Sequence, residues 1–272
     1  MDSNIPLGKE VSYISTYKPE LLFPVPRALG RQAISIQGEL PFSGVDIWNA
    51  YEISWLDPGG KPRVAIAEIV FSVQSVNIIE SKSLKLYLNS FNQTCFHSSE
   101  EVSQVIQEDL EKVSLGEVRI TLKLPGSFEG YRLNEPEGVC IDGLEIETDC
   151  YSHNTAFLEC GEKKSQECVY SNLLRSNCPV TGQPDWGTVI IHYSGQAISH
   201  SGLLRYIISF REHTGFHENC VEQIFVDLMT HCGPRKLSVY ARFTRRGGID
   251  INPFRCTENN CTVPVNNRTA RQ

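Results

Sequence analysis

The chain has 272 residues and a net charge of −7 at pH 7, with a sequence pI near 5.6. This length suffices for one large domain or two smaller ones with their own buried cores, and a composition of 40% hydrophobic and 21% charged residues is typical of globular proteins. The acidic balance disfavours binding to a phosphate backbone, which depends on clustered Lys and Arg. We therefore expect no direct contact with nucleic acid.

The sequence predicts neither a secretion signal nor a membrane span. The start, MDSNIPLGKE, has no basic region followed by an apolar run, and no stretch approaches the roughly 20 apolar residues that cross a bilayer. We expect a cytoplasmic protein whose ten cysteines are reduced thiols. Cys256 and Cys261 form a weak zinc pattern without a matching second pair, so we expect no metal site.

The first secondary structure is predicted after a long irregular start. Residues 1–45 are interrupted by Pro and Gly and are expected to run as extended arms over the surface. Regular structure is predicted from about Asp46. The runs 47–56 and 63–73 are rich in aromatic and β-branched residues, and the turn-forming sequence at 57–60, Asp-Pro-Gly-Gly, separates them. Together they predict a β-hairpin.

A helix is predicted over 99–113 because apolar residues recur at steps of three and four. Ser98 and Glu101 form a capping box at its start, Gly116 ends it, and the alternation over 117–124 predicts a strand. The buried face of this helix is predicted to consist of Val102, Val105, Ile106, Leu110 and Val113.

The same order of elements returns later in the chain. A strand is predicted at 189–193, followed by the sequence LLRYIISF and a helix that starts near Glu218. Gly233-Pro234 ends that helix, and 236–244 is again a predicted strand. The apolar face of the later helix consists of Val221, Ile224, Phe225, Leu228 and Cys232.

This recurrence is an internal repeat, which predicts an α+β protein of two similar modules, residues 1–140 and 141–272, each with helices on one face of an antiparallel sheet. Each module has the order strand, strand, helix, helix, strand. The link at 125–168 is acidic and contains cysteines, with 139–146 as a candidate strand. Seven identities lie at an offset of 119: Tyr51/Tyr170, Leu84/Leu203, Tyr87/Tyr206, Ser90/Ser209, Phe91/Phe210, Val102/Val221 and Gln104/Gln223.

The segment 176–187, SNCPVTGQPDWG, sets a thiol and a carboxyl into one turn-rich stretch. Cys178 lies in a polar turn after a predicted strand end, although the residues alone favour a buried structural role for it. Asp185 is either an ordinary turn acid or, beside Trp186, a carboxyl that keeps its proton and acts as a general acid.

Two further segments have both a structural and a functional interpretation. Glu80 opens the sequence ESKSLKLY and is either an exposed charge paired with Lys82 or Lys85, or a ligand-binding carboxylate. His217 and Glu218 open the second helix and either compensate its dipole or face a polar ring as donor and acceptor.

The repeat also indicates where the two halves differ. Gly59 stands in the first half at the position of Cys178, and serines replace Glu80 and Lys82 in the second half. We therefore predict one composite site, with Glu80 and the lysines from one half and Cys178, Asp185, His217 and Glu218 from the other.

With these three segments the chain resembles the 7-cyano-7-deazaguanine reductase family (QueF), the nitrile reductases of queuosine synthesis, in its longer two-module form. The resemblance implies two tandem tunnelling-fold modules that pair into a homodimer. It also implies reduction of the nitrile on a free guanine-like base to an aminomethyl group, with two NADPH consumed.

The resemblance implies a role for each site residue. The Cys178 thiolate would add to the nitrile carbon and form a covalent thioimide, and Asp185 would protonate the nitrogen. The base would be bound by Ile79, Glu80, Ser81, His217 and Glu218, because carboxylates accept the adjacent N–H groups of such a ring.

A cofactor site is implied in two places. No GxGxxG motif follows a predicted strand, so NADPH would be held by side-chain charge. The resemblance indicates Ser81 and Lys82, together with Arg246 and Gly247 in the sequence RFTRRGG. Arg245 and Lys85 are additional candidates for phosphate contacts, and the alternative for RFTRRGG is a solvated strand end.

Two other functions remain open at this point. One is a cyclohydrolase-like enzyme or thiol hydrolase of the same fold, independent of NADPH and acting on a pterin-like or purine-like ring. The other is a catalytically silent duplicate that serves as a binding module.

Overall fold

The computed structural model describes residues 14–130, 133–258 and 262–272. Within these residues the chain forms two compact units. The first contains 14–29, 46–130 and 245–251, and the second contains 30–45, 133–244 and 252–272.

The described residues form an α+β structure of five helices and ten strands. The helices are α1 (Arg27–Ala33), α2 (Ser81–Asn89), α3 (Ser99–Ser114), α4 (His200–Ser209) and α5 (His217–Cys232). The strands are β1 (Pro24–Pro26), β2 (Ser43–Leu56), β3 (Pro62–Ser72), β4 (Asn77–Ile79), β5 (Val118–Lys123), β6 (Val139–Cys140), β7 (Cys160–Asn177), β8 (Pro184–Ile198), β9 (Lys236–Phe243) and β10 (Ile249–Cys256).

In the first unit the sheet order is β5-β3-β2, and β1 pairs with β4 in a small second sheet. The predicted hairpin of β2 and β3 is confirmed. Its turn closes when the Asp57 nitrogen donates to the Lys61 carbonyl at 3.0 Å, while the Asp57 carboxylate accepts from the Gly59 and Lys61 nitrogens. Alternate residues of β3 and β5 pack against α2 and α3 in one apolar core.

The predicted helix at 99–113 is confirmed as α3, with two differences at its ends. Ser98 caps the Glu101 nitrogen, but the Glu101 carboxylate accepts from the His97 nitrogen, one residue before the cap. At the other end Leu115, rather than Gly116, adopts the left-handed conformation with φ of 53°. Gly116 is needed for a different reason, because a Cβ there would lie 2.5 Å from Ser75 Cβ.

In the second unit the strand order is β10-β9-β8-β7-β6. The long strands β7 and β8 form an antiparallel hairpin, and β8 also pairs with β9. The predicted apolar face of α5 is buried, and Gly233 ends the helix with φ of 53°.

The order strand, strand, helix, helix, strand is confirmed in both units. An offset of 119 carries α2, Ser81–Asn89, onto residues 200–208 of α4, and carries α3, Ser99–Ser114, to within one residue of α5. The helices therefore preserve the repeat without an insertion between them.

The local structure departs from the expectations in three places. The arm at 1–45 contains helix α1, which Arg27 supports by donating to Asp46 at 2.6 Å and to Ser75 at 3.0 Å. The candidate strand at 139–146 is only β6, because two residues pair with β7 before the chain turns away. Strand β10 was missed because Pro253 interrupts its alternating sequence, IDINPFRC, and a proline inside a run argues against a strand.

The cysteines also depart from expectation. Cys256 is in a disulfide bond, whereas eight others are free thiols. The redox argument concerns the average thiol in a compartment and does not describe a sulfur that the fold holds within bonding distance of another. Cys261, the other half of the weak zinc pattern, lies outside the described residues.

None of the helices within residues 14–130, 133–258 and 262–272 has the length and apolar composition needed to span a bilayer.

Candidate active site

The turn between β7 and β8 holds Cys178 in a closed loop. Its nitrogen donates to the Gln183 carbonyl at 2.9 Å, and the Gly182 nitrogen donates to the Cys178 carbonyl at 3.0 Å. Gly182 has φ of 67°, which favours glycine at this position. The Cys178 side chain directly follows the strand end, as predicted, and is 9% exposed.

Asp185 lies on the opposite side of the same turn. It is the second residue of β8 rather than part of the turn itself, and it pairs with Ser176 across the hairpin. Its exposed fraction is 4%, and the hydroxyl of Ser176, also buried, makes no hydrogen bond within the described residues. One hairpin therefore presents both the predicted nucleophile and the predicted acid.

The loop before α5 is attached to this hairpin by main-chain hydrogen bonds. The Asn177 nitrogen donates to the His213 carbonyl at 2.8 Å, and the Gly215 nitrogen donates to the Asn177 carbonyl at 3.1 Å. These bonds place the start of α5 beside the Cys178 turn, although the two segments are distant in the sequence.

His217 is the first residue of α5 and contacts Asp185 directly. Its Nε2 lies 3.4 Å from Asp185 Oδ2, and its ring stacks on Phe243 with centroids 3.8 Å apart and planes within 3°. The stacking fixes the plane of the imidazole and therefore the direction in which it can donate or accept a proton.

Glu218 is the second residue of α5 and is 3% exposed. Its position in the first turn compensates the helix dipole, and its burial also places a carboxylate near His217. Two residues further along α5, burial and, to a smaller extent, Asp185 raise the pKa of Cys220. Cys220 is therefore a protonated core thiol.

Sequence reasoning missed two cations beside this site. The guanidinium groups of Arg175 and Arg211 lie 5.6 and 5.5 Å from the centre of the Trp186 ring. Arg175 also donates to the Arg211 carbonyl at 2.8 Å and to Asn177 Oδ1 at 3.1 Å. No local pattern could indicate this cluster, because its members meet only through the fold.

In the first unit, Glu80 is the N-cap of α2. Its two carboxylate oxygens accept from the Lys82 nitrogen at 2.9 Å and the Ser83 nitrogen at 2.7 Å. It is 1% exposed, and burial raises its pKa against the lowering effect of those two hydrogen bonds. The interpretation of Glu80 as an exposed charge was therefore wrong, because the carboxylate is needed to cap the helix.

The neighbours of Glu80 differ in exposure. Ile79 is buried at the end of β4, whereas Ser81 is exposed and Lys82 is half-buried at the start of α2. Lys85 pairs with Glu52 at 3.6 Å rather than with Glu80. The junction of β4 and α2 thus has a buried carboxylate followed by accessible polar groups.

The sequence RFTRRGG turns sharply after β9 ends at Phe243. Arg246 and Ile249 exchange main-chain hydrogen bonds at 2.9 and 3.1 Å, and Gly247 and Gly248 have φ of 58° and 81°. The turn contacts Lys85, since a Cβ on Gly247 would lie 3.1 Å from the Lys85 ammonium. Arg245 lies 4.5 Å above the Tyr51 ring, so this segment is an ordered turn rather than a solvated strand end.

Within the described ranges, no group of three or more His, Cys, Asp or Glu side chains is arranged to hold a metal ion.

Two family profiles match the sequence. "Nitrile reductase, 7-cyano-7-deazaguanine-reductase N-term" matches residues 13–122, and "QueF-like protein" matches residues 184–262. A protein of Desulfotalea psychrophila named NADPH-dependent 7-cyano-7-deazaguanine reductase is 56% identical over 100% of this chain and 99% of its own. This chain belongs to the 7-cyano-7-deazaguanine reductase family.

Other members of the reductase family match over nearly the whole length as well. The proteins of that name from Burkholderia pseudomallei and Paraburkholderia xenovorans are 52% and 53% identical, each over 98% of both chains. A crystal structure of the archaeosine synthase QueF-Like in its apo form has a TM-score of 0.32 and 12% identity, covering 38% of this chain and 99% of that one. A likeness of that size does not bear on the fold.

The reductase family resemblance seen in the sequence is thereby confirmed. The structure brings Cys178, Asp185, His217 and Glu218 together in the second unit, while Ile79, Glu80, Ser81, Lys82 and the turn with Arg246 and Gly247 lie in the first. A composite site made from both sets stays a prediction.

Proposed function

We propose that this chain reduces the nitrile of 7-cyano-7-deazaguanine to the aminomethyl group of 7-aminomethyl-7-deazaguanine, with NADPH as donor, in tRNA queuosine biosynthesis. The proposal is supported by full-length identity above 50% to relatives named for this reaction. The observation that carries it is the single hairpin that presents a thiol and a carboxyl, with an imidazole 3.4 Å from the carboxyl.

The proposed chemistry begins at Cys178. Its sulfur adds to the electrophilic nitrile carbon and forms a C–S bond, while Asp185 gives a proton to the nitrogen, so that a neutral thioimide results. The buried position of Asp185 favours this donor role, because a carboxyl away from water keeps its proton more readily. The proton of the Cys178 thiol passes through His217 to Asp185, so that Asp185 is protonated again; His217 contacts Asp185.

The carboxylates and the imidazole orient the base. Glu218 and Glu80 accept hydrogen bonds from ring N–H groups, and His217, fixed by Phe243, contacts the ring beside Glu218. Ile79 and Ser81 contact the base next to Glu80. The assignments to Glu80 and its neighbours rest on the family resemblance, and those to His217 and Glu218 are also supported by their burial beside Asp185.

The turn in the first unit fits a phosphate-bearing cofactor. Lys85 lies beside Gly247, and Arg245 and Arg246 precede that glycine, so three cations meet at the turn, with the Glu52 carboxylate beside Gly248 as their counter-charge. Ser81 and Lys82 stand at the start of α2, one turn before Lys85. NADPH held by these groups would supply the two hydrides that convert the nitrile to the amine, and Cys178 would leave as a thiolate when its C–S bond breaks.

We also propose that the chain consists of two tunnelling-fold modules, residues 1–140 and 141–272. We further propose that it works as a homodimer. The repeated order of strands and helices supports the modules. Sedimentation equilibrium of the purified chain tests the assembly, and a monomeric mass at working concentration contradicts it.

The test of the function combines two measurements on the purified chain. Intact mass is recorded after addition of 7-cyano-7-deazaguanine alone, and NADPH absorbance is then followed. We expect a mass gain equal to the base, followed by oxidation of two NADPH per base. Absence of both results contradicts the proposal and favours a cyclohydrolase-like reaction, which is then tested with a pterin substrate and metal analysis.

A further inference from the structure

A cavity lies in the second unit, apart from the candidate active site. Its volume is about 460 Å³, and it is formed between strands β8, β9 and β10 and the segment 262–269. Arg242 lines it, whereas the next residue, Phe243, stacks on His217 in the candidate active site. Successive residues of a strand point to opposite faces, so the cavity lies on the other side of the sheet from that site.

Arg242 is a buried cation in this cavity. It is 3% exposed, and its Nε and Nη1 donate to the uncharged side chains of Gln272, Tyr240 and Asn266. Its Nη2 has no hydrogen-bond partner within the described residues. A buried guanidinium without a charged partner is costly unless a further acceptor reaches it.

The equivalent cation in the first unit has such an acceptor. Lys123 is the repeat equivalent of Arg242 at the offset of 119, and its ammonium lies 3.3 Å from Glu68. Lys123 of β5 pairs with Ile66 of the neighbouring strand β3, and Glu68 lies two residues further along β3. The acid therefore lies diagonally across the ladder from the cation.

The corresponding position in the second unit is apolar. Arg242 of β9 pairs with Thr188 of the neighbouring strand β8. Two residues further along β8 is Ile190, which lines the cavity. The second unit thus keeps the cation of the pair but has an aliphatic side chain where the first has its carboxylate.

The remaining cavity residues limit the charge of a ligand. Burial lowers the pKa of His192, so this wall is neutral at neutral pH. Glu135 and Glu137 also line the cavity but are exposed at its rim. Their charges disfavour a polyanion, whereas a single anionic group can reach Arg242.

We propose that this cavity binds a small molecule through one oxyanion, a carboxylate or a phosphate, which takes on Arg242 the place that Glu68 takes on Lys123. An oxyanion accepts a charge-assisted hydrogen bond from Nη2 and neutralises the buried cation.

The test is thermal unfolding of the full chain in sodium phosphate, sodium acetate or sodium chloride at equal ionic strength. We expect a saturable rise in Tm with phosphate or acetate over chloride, and calorimetry should give one site per chain. A response to phosphate alone assigns a phosphate ligand, and a response to acetate assigns a carboxylate. If neither anion raises Tm, the proposal is overturned. The same holds if Tm depends only on protein concentration, which would indicate that a second copy covers the cavity.

Two variants and a control locate the response. Arg242→Gln removes the cation, and Ile190→Glu supplies the missing carboxylate within the chain, so both should abolish the anion-dependent rise. Lys123→Gln, the matched change in the first unit, should leave it intact. A rise that persists in folded Ile190→Glu overturns the proposal, and this variant decides the matter even if Arg242→Gln does not fold.

Discussion

Tyr17 and His153 occupy equivalent positions in the two units. The Tyr17 hydroxyl donates to Asp109 Oδ2 at 2.7 Å, and His153 Nε2 lies 2.7 Å from Asp227 Oδ2. Each ring also packs edge-on against the tyrosine that the helical repeat pairs, Tyr87 in the first unit and Tyr206 in the second.

The next residue of each arm strengthens this equivalence. The Lys18 nitrogen donates to Ser90 Oγ at 3.1 Å, and the Asn154 nitrogen donates to Ser209 Oγ at 3.2 Å. Each module therefore includes an arm that precedes its first long strand and packs on its first helix.

These clusters predict unequal effects of the same substitution. Tyr87 donates to Asp109 at 2.7 Å, and Tyr206 donates to Asp227 at 2.6 Å, but Asp227 is buried whereas Asp109 is half-buried. We expect Tyr206→Phe to lower the free energy of unfolding by about 1 kcal/mol, the worth of one hydrogen bond, since His153 and Gln223 still contact Asp227, and Tyr87→Phe to lower it less. Urea denaturation of both variants measures this, and equal losses would contradict it.

Cys178→Ala should separate binding from chemistry. The side chain fills little of the core and its main-chain bonds do not depend on the sulfur, so the variant should fold and bind the base. It should give neither the covalent mass gain nor NADPH oxidation. Cys220→Ala, a change at a buried thiol outside the turn, should keep the adduct, and turnover in Cys178→Ala would rule out the thioimide.

Asp185→Asn should slow the reaction without preventing binding. Asparagine keeps the shape and the strand position but cannot give up a proton, and a general acid contributes roughly 10²–10⁴-fold to rate. We expect single-turnover adduct formation to slow by that range while the Kd for the base changes little. A variant as fast as the parent would remove Asp185 from the mechanism.

Glu80 is predicted to have two separable roles. Glu80→Ala should lower stability by about 1 kcal/mol through loss of the cap on α2, and Ser98→Ala should do the same on α3. Only Glu80→Ala should also weaken base binding, by roughly ten- to hundredfold, because hydrogen bonds to charged groups are worth about 1.5–3 kcal/mol. Equal base affinity in both variants would leave Glu80 with a capping role alone.

His213 should make the protein sensitive to acid. Burial lowers its pKa from 6.5, His153 adds to this, and Asp227 opposes it. Because the unfolded chain then binds more protons, the stability that His213 contributes is complete above pH 6.5 and is lost as pH falls through the lowered value. His213→Gln should flatten the unfolding free energy against pH, whereas the exposed His97→Gln should follow the parent curve.

The sequence predicted what depends on short-range pattern. The hairpin of β2 and β3, the faces of α3 and α5 and the repeat of the helices all follow from spacing within a few residues. The equivalence of the two arms was not predicted, because Tyr17 and His153 lie 136 positions apart rather than 119. The offset of the repeat therefore changes between arm and strand. The contact of Asp185 with His217 likewise depends on main-chain bonds at Asn177 that no side-chain pattern encodes.

Those two bonds at Asn177 have a consequence for selectivity. They tie the end of β7 to the loop before α5, so the turn that carries Cys178 and the helix start that carries His217 cannot separate without breaking the main-chain ladder. The distance between the Cys178 sulfur and the His217 imidazole is then fixed and does not adjust to the bound base. The site would select bases whose ring and substituent match that distance. A bulkier analogue would fail to bind, instead of binding and reacting slowly.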